Sequence, residues 1–156
     1  MLNENPFASW LTDKIKIEHS RQGHTLTGEA ERTLTYQIER KSDLVVISVW
    51  GKKYMIKTNR GVKGENVDSW ESSKLGLENY SKLRFKVGDK ESKRIAYLIW
   101  RKHKKEGMPT KSSYQFSSTG KRTEYIEDVL NSPEFENKFS ELYANQIITE
   151  IETIFK

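Results

Sequence analysis

The sequence predicts an α+β fold in which residues 1–156 form a single domain. Two observations favour it: adjacent segments with strand periodicity in the first half of the chain, and helical periodicity at both ends. A small antiparallel sheet built on a β-hairpin should therefore be packed by N-terminal and C-terminal amphipathic helices. A chain of 156 residues is long enough for one hydrophobic core.

The predicted hairpin occupies the middle of the stretch Leu26 to Gly61. Between Thr33 and Arg40, polar and apolar residues alternate, which is the period of a strand with one buried face. Leu44 to Trp50 is rich in β-branched residues, which favour extended backbone. A hairpin alone buries too little to offset its ordering entropy, so helices must cover its apolar face. That face comprises Leu34, Tyr36, Ile38, Val45, Ile47 and Val49.

Helices are predicted at both ends of the chain. Asn5-Pro6 is a typical helix start, and Gly23 a typical stop. Ser132-Pro133-Glu134 supplies an N-cap, an N1 proline and a first-turn acid for the last helix. Its apolar stripe, at 3.6-residue spacing, consists of Phe135, Phe139, Leu142, Tyr143, Gln146, Ile147, Ile151, Ile154 and Phe155.

The middle of the chain gives weaker patterns. We expect loops at 60–82 and 110–122, the latter as an exposed contact arm or weak hairpin because it is rich in Ser and Thr. Leu83 to Val87 alternates like a short strand. A helix should run from Asp89 or Ser92 to Gly107, although its apolar run also fits a buried strand. Residues 52–60 show no clean period.

Composition excludes several classes of protein. With 31% charged and 11% aromatic residues, the chain is polar but has enough large apolar residues to fold. It contains no cysteine, which excludes disulfides, thiolate metal sites and thiol nucleophiles. The first ten residues lack a basic, apolar leader pattern, so we expect no signal peptide, no membrane partner and synthesis in a cytoplasm.

The net charge of +5 is unevenly distributed. Lys93 to Glu106 holds six basic residues and one acidic residue, and Lys52 to Lys63 holds five basic residues and no acid. Glu124 to Lys156 instead holds eight acidic and two basic residues. Complementary segments of this kind suit contacts between copies of one chain.

The basic segments supply the candidate contact residues. Beside Trp50 and Tyr54, such cations can hold phosphates while an aromatic ring stacks on a base. The alternative is that cations in the last turns only favour the helix dipole or meet an acidic neighbour. The candidates for contact with DNA or a protein partner are Lys52, Lys53, Lys57, Arg60, Lys63, Arg101, Lys102, Lys104 and Lys105.

The sequence shows no pattern that predicts catalysis. His19, His24 and His103 lack metal-ligand spacing, and no phosphate-binding loop or nucleophile motif is present. Carboxylates at Glu29, Glu31 and Glu39 resemble those of a metal-dependent nuclease, but solvated strand charges are the simpler interpretation. We therefore predict a protein that is not an enzyme, with no catalytic residue, metal or cofactor.

Several segments resemble the small tail-completion and head-to-tail joining (neck) proteins of tailed bacteriophages. Thr27 to Leu34 is similar to that family's T-G-x-L-R-x-S-I entry, with Ala30 and Glu31 in place of Leu and Arg. Tyr54 followed by Gly61 resembles its Y-A-x-x-x-E-x-G element, with Met55 and Asn59 in place of Ala and the acid. Arg94 to Pro109 resembles its helix with a G-I-P-like stop, and a C-terminal amphipathic helix closes both. The resemblance covers about half of the chain.

The resemblance implies a virion structural protein without catalytic residues. Such proteins form a ring, commonly sixfold or twelvefold, between the portal or adaptor and the tail tube, and the viral DNA passes through it. The implied partners are further copies of the chain, portal or adaptor and tail-tube proteins, and nearby DNA; the implied location is the neck of the virion. Two alternatives stay open: a small basic nucleic-acid-binding protein and a metal-dependent nuclease.

Overall fold

The structure is a computed structural model that describes residues 5–41 and 44–154; the side chains of residues 44 and 145–154 are not described. Within this part, no helix is both long and apolar enough to cross a membrane. The strands are β1 (Thr35–Lys41) and β2 (Leu44–Trp50), and 3-10 helices lie at Gly64–Asn66 and Lys111–Phe116. The α-helices are α1 (Asn5–Arg21), α2 (Glu29–Thr33), α3 (Lys53–Arg60), α4 (Trp70–Phe85), α5 (Asp89–Glu106), α6 (Tyr125–Leu130) and α7 (Pro133–Ile154).

The predicted hairpin is confirmed, and so is the α+β class. Strands β1 and β2 pair antiparallel, with Tyr36 opposite Val49 and Ile38 opposite Ile47. Because directly paired residues share a face, these four side chains form one apolar surface. All four are half-buried, whereas the alternate residues of β1 are exposed.

Helix α1 forms the centre of the core. Its buried side chains Phe7, Leu11 and Ile15 meet buried residues from α2, α3 and α6. The helix contacts β1 on one side and α6 and α7 on others, so it provides cover for the hairpin. Half-buried residues that pack against this core are Trp10, Leu34, Ile47, Val49, Ile126, Phe135 and Leu142.

Helix α7 begins as predicted. The Ser132 hydroxyl accepts a hydrogen bond from the Phe135 amide at 3.1 Å, which caps the first turn. The Phe135 ring lies 5.7 Å from that of Phe7, and Leu142 is half-buried. Farther along, the predicted stripe residues Gln146, Ile147, Ile151 and Ile154 have side chains outside the described part, and Phe155 lies wholly outside it.

The two basic segments both fold as helices. Residues 53–60, which had no clear period, form α3, with only Met55 and Asn59 buried. Helix α5 confirms the helical interpretation of the apolar run, and it ends before Gly107, whose φ is 85°. A positive φ of this kind favours glycine and is a common helix terminator.

The loop predicted at 60–82 is wrong from Trp70 onward, and the strand predicted at Leu83 to Val87 is also wrong. Both fall largely within α4, where the Ser69 hydroxyl accepts a bond from the Ser72 amide at 3.4 Å. Ser69 is thus the N-cap that ends the preceding irregular stretch. The alternation of Leu83 and Phe85 reflects exposed positions in the last turn of the helix.

Helix α4 escapes sequence-based prediction because the residue that it buries is a serine. It packs against α5, and the fully buried residues of the pair are Ser81, Ser92 and Ala96. The two serine hydroxyls donate to carbonyls of their own helices, Ser81 to Leu77 at 2.7 Å and Ser92 to Asp89 at 2.8 Å. Their polarity is therefore satisfied inside the contact, and no apolar stripe marks α4 in the sequence.

Residues 110–122 contain no strand, so the hairpin alternative is wrong there. Apart from the 3-10 helix, this segment is irregular, but it is attached to the end of α1. The amide and hydroxyl of Ser118 both donate to the Arg21 carbonyl, at 2.8 and 2.9 Å. A Cβ at Gly23 would overlap the Phe116 carbonyl, so the two backbones approach closely. The segment is thus a packed loop rather than a free arm.

Replacement of a core residue of α1 tests the packing. Ile15→Ala should destabilise the protein by about 2–5 kcal/mol, because Ile15 is only 4% exposed. Ile17→Ala in the same helix is the matched control; Ile17 is 51% exposed, so the change should stay within about 0.5 kcal/mol. Denaturant unfolding measures both. Equal losses would contradict the orientation of α1.

A second substitution tests the small-residue contact of α4 with α5. Ala96→Leu should destabilise the protein by about 1–3 kcal/mol, because Ala96 has no exposed surface and a larger side chain must displace α4. Lys93→Leu, at an exposed position of α5, is the control and should change stability by less than about 0.5 kcal/mol. A neutral Ala96→Leu in thermal unfolding would show that the two helices do not pack closely here.

Candidate functional site

A short backbone bridge joins the ends of α3 and α5. The Val62 amide donates to the Met108 carbonyl and the Met108 amide donates to the Val62 carbonyl, each at 2.7 Å. Gly61 precedes this bridge with a φ of 72°. Gly64 also lies so close to the carbonyl of Lys104 that a Cβ would overlap it. Segments more than forty residues apart in the sequence therefore meet at one place.

This bridge brings the two predicted basic segments together. Arg60 and Lys63 lie on either side of Val62 in the sequence, and Lys104 and Lys105 shortly precede Met108. We call these four residues the basic junction. Among the described residues none of the four has an ion-pair partner, and all but Lys104 are exposed. Four uncompensated cations at one point create a positive potential that attracts anions.

The other predicted contact residues have different environments. Lys52 pairs with Glu29 at 2.9 Å and Lys57 with Asp68 at 2.6 Å, while Lys102 donates to the Ser112 hydroxyl at 2.7 Å. Lys53 and Arg101 are exposed, and the structure shows no ion-pair partner for them in its described part. The structure therefore joins four of the nine candidates at the junction, gives three others hydrogen-bonding partners, and leaves Lys53 and Arg101 exposed outside the junction.

Three of the junction cations, Arg60, Lys104 and Lys105, also lie in the last turns of α3 and α5. Cations there stabilise a helix by about 0.3–1 kcal/mol each through the dipole. This structural role accounts for one or two cations per helix end. The dipole role does not require the ends of α3 and α5 to lie side by side. Their meeting at one bridge is therefore the observation that bears on function.

A buried amide ties α3 to α6. The Asn59 side chain, 3% exposed, accepts from the Ile126 amide at 2.9 Å and donates to Glu127 at 2.7 Å. The Asn59 carbonyl accepts from the Glu124 amide at 2.6 Å. Asn59 thereby satisfies amides at the start of α6 that would otherwise lack partners. The sequence showed Asn59 only as a departure from a family pattern, whereas the structure gives it a role.

Two of the three histidines meet in a buried polar cluster. The rings of His19 and His24 stack at 5.0 Å, and the buried Tyr125 packs edge-on to His19 at 5.1 Å. Burial lowers the pKa of His19 even though Glu31 lies 2.7 Å from its Nδ1, so a neutral His19 donates to that carboxylate. Burial, assisted by the nearby Arg122 guanidinium, lowers the pKa of His24 to about 4.

Beside this cluster lies a cavity of about 370 Å³ that the sequence did not predict. It is formed by the α1–α2 connection, α3, α4, α5 and the loop after α5. Its polar lining includes His24, Lys57, Arg84, Lys102, His103 and Arg122, and its apolar lining includes Leu77, Tyr80, Phe85, Ile99 and Phe116. These residues come from five separate segments, so no local pattern in the sequence announces them.

The carboxylates considered for a nuclease have separate partners. Glu29 pairs with Lys52, Glu31 accepts from His19 and Thr25, and Glu39 lies 3.5 Å from Lys41. Among the side chains that the structure describes, no group of three acidic or histidine residues is placed to hold a metal ion. This arrangement gives the nuclease alternative no support.

Comparisons of the chain with family models, with curated proteins and with solved structures found no match.

The low pKa of His24 makes stability depend on pH. In the unfolded chain, His24 binds a proton below its ordinary pKa of 6.5, whereas in the folded state it stays neutral down to about pH 4. The unfolded state therefore binds more protons in this window, and stability falls as the pH is lowered from 6.5 toward 4. One such group contributes a slope of up to about 1.4 kcal/mol per pH unit.

Denaturant unfolding at a series of pH values checks this prediction. Between pH 6.5 and 5, which lies above the ordinary carboxylate range, His24→Gln should reduce the slope. From pH 7.5 to 8.5 the wild type and the variant should have parallel profiles, which provides the internal control. An unchanged slope between pH 6.5 and 5 in His24→Gln would show that His24 is not held neutral.

Proposed function

We propose that this protein is a virion structural component that forms a ring at the head–tail junction of a tailed bacteriophage, with viral DNA passing through it. Further copies of the chain, a portal or adaptor and a tail-tube protein are its partners in this proposal. The observation that carries it is the bridge between Val62 and Met108. It joins the Tyr54 to Gly61 element to the Arg94 to Pro109 element, two of the stretches on which the family resemblance depends.

The basic junction supports a location close to DNA. A ring through which a duplex passes must offset the negative charge of the phosphates without reading the base sequence, and unpaired lysine and arginine side chains suit that task. The junction lies at the surface, and Lys53 and Arg101 add exposed charge on the same two helices. The exposed rings of Trp50 and Tyr54 lie at the end of β2 and the start of α3.

In this proposal, copies of the chain meet through exposed apolar residues of α4 and α5 rather than through the acidic segment. Much of the acidic segment is used within the chain: Glu134 pairs with Lys14, Asp128 with Lys121, and Glu141 with Lys138. The helical pair α4–α5 instead exposes large apolar side chains. Their exposed fractions are 68% for Leu75, 58% for Leu83, 44% for Tyr97 and 53% for Leu98. Exposed apolar residues of this size are typical of protein contact surfaces.

The basic junction also favours the second candidate, a small nucleic-acid-binding protein that acts outside a particle. Both candidates bind DNA through phosphates, so binding alone does not separate them. Their difference is location: a neck protein remains with purified particles, and a free nucleic-acid-binding protein does not.

Particle purification tests the proposal. Phage particles produced with an epitope-tagged chain are banded on a density gradient and washed at high salt, which removes proteins held by phosphate contacts alone. We expect the tagged chain to remain in the particle fraction in a constant ratio to the portal protein. Its loss during the high-salt wash would contradict a structural role and favour the second candidate.

Charge reversal tests the part played by the junction. The double variant Lys63→Glu with Lys105→Glu should weaken binding to duplex DNA. It should also lower the magnitude of the salt dependence, log K against log salt, by about two, because each of the two lysines would neutralise one phosphate. The control, Lys90→Glu with Lys93→Glu, changes the net charge equally at the other end of α5. An equal effect of both pairs in a fluorescence titration would show that net charge, not the junction, binds DNA.

A further inference from the structure

The cavity between α4, α5 and the loop after α5 has a charge imbalance that the ring proposal does not use. Four of its lining side chains are lysine or arginine, and none of the described lining residues is Asp or Glu. Among the described residues, one of the four cations has a carboxylate partner: Lys57 pairs with Asp68 at 2.6 Å. Arg84, Lys102 and Arg122 face the space without a carboxylate partner in the part of the chain that the structure describes.

Arg122 is a lining cation with a buried polar atom that no described residue binds. Its Nη1 donates to the Gln22 carbonyl at 2.7 Å, which fixes the guanidinium, while its buried Nε has no hydrogen-bond partner among the described residues. The buried Nε2 of His24, also in the lining, likewise has no partner there. Burial lowers the pKa of Arg122, and the neighbouring Arg84 lowers it further. Two guanidiniums thus repel each other beside unused polar atoms.

Arg84 is positioned by an aromatic ring rather than by an acid. Its guanidinium carbon lies 4.5 Å from the centroid of the Phe116 ring. A guanidinium stacked in this way keeps its N–H groups free at the edge for a planar or tetrahedral anion. Lys102 comes from α5 and is held by its bond to Ser112. Cations from α4, α5 and the residues before α6 therefore converge on one volume.

We infer that this cavity binds a small phosphate monoester that carries a planar or apolar body. A phosphate monoester has a charge close to −2 and several acceptor oxygens, which match two guanidiniums and an ammonium group better than a single carboxylate does. Two of the lining hydroxyls, those of Thr58 and Ser113, already donate to backbone carbonyls, so the further donors are the hydroxyls of Thr110 and Ser112. A volume of about 370 Å³ lies at the lower end of the range for small-molecule pockets.

The apolar part of the cavity lining is the reason for assigning a planar or apolar body to the ligand. Tyr80, Phe85 and Phe116 line the cavity together with Leu77 and Ile99. A free inorganic phosphate would leave this surface in contact with water, whereas a ring attached to the phosphate would cover it. The site therefore discriminates between a phosphorylated ring compound and phosphate itself.

Calorimetric titration of the full chain with phenyl phosphate tests this inference. We expect one saturable site, with inorganic phosphate and benzoate each bound at least about tenfold more weakly, because each lacks one half of the interaction. No saturable binding of phenyl phosphate, or equal affinity for inorganic phosphate, would overturn the assignment. This readout involves neither particles nor duplex DNA, so its failure leaves the proposed ring untouched.

Two variants locate the binding in the cavity. Arg122→Gln and Arg84→Gln should each reduce the affinity for phenyl phosphate by about tenfold or more, since each removes a charge-assisted hydrogen bond. Arg84 is held by the Phe116 ring rather than by a backbone carbonyl, so Arg84→Gln provides a result even if Arg122→Gln does not fold. Arg101→Gln, outside the lining, is the matched control and should remain within about twofold. An equal loss in Arg101→Gln, or no loss in Arg84→Gln, would show that the cavity is not the site.

Discussion

The attachment of α6 to α3 through Asn59 is the constraint on which both the basic junction and the cavity depend. A buried amide that bonds to the start of another helix has few alternative positions, because each unmade bond leaves a polar group without water. Tyr125, with no exposed surface, adds a bond from its hydroxyl to the Met55 carbonyl at 2.6 Å. The end of α3 is fixed in this way, and with it the course of the chain through Gly61 to the bridge with Met108.

The attachment of α6 to α3 also fixes the position of one side of the cavity. The residues that lead into α6 pass the end of α1, where Arg122 bonds to the Gln22 carbonyl and enters the cavity lining. The other wall comes from α4 and α5, which approach each other through the buried serines and Ala96. Lys57 and Lys102 lie on the helices that also carry the basic junction. The basic junction at the surface and the cavity therefore share one framework, although different cationic side chains belong to each.

The sequence predicted those elements whose burial leaves a periodic apolar pattern. The hairpin, α1 and the start of α7 belong to this class, because their apolar side chains recur at strand or helix spacing. Helix α5 was predicted from the residues at its two ends instead, since its apolar run also fits a strand. Helix α4 does not belong to this class, since its one buried residue is Ser81. Its aromatic contact with α5 comes from a single ring, that of Trp70 in its first turn, and leaves no periodic pattern. Asn59 and Arg122 carry no local pattern either. Their roles depend on bonds to segments distant in the sequence, to Ile126 in one case and Gln22 in the other. The sequence identified all nine basic candidates. Only the fold shows which of them lie at the junction, which form ion pairs and which line the cavity.

The central claim is that the chain acts as a repeated structural element around DNA, and the arrangement of its copies in a particle tests that claim most directly. Electron microscopy of purified particles, reconstructed at the neck without imposed symmetry, would reveal that arrangement. We predict a closed ring of identical copies, commonly sixfold or twelvefold for the family it resembles, with Arg60, Lys63, Lys104 and Lys105 toward the lumen. Particles that lack the chain, or that carry it without rotational order, would contradict this claim.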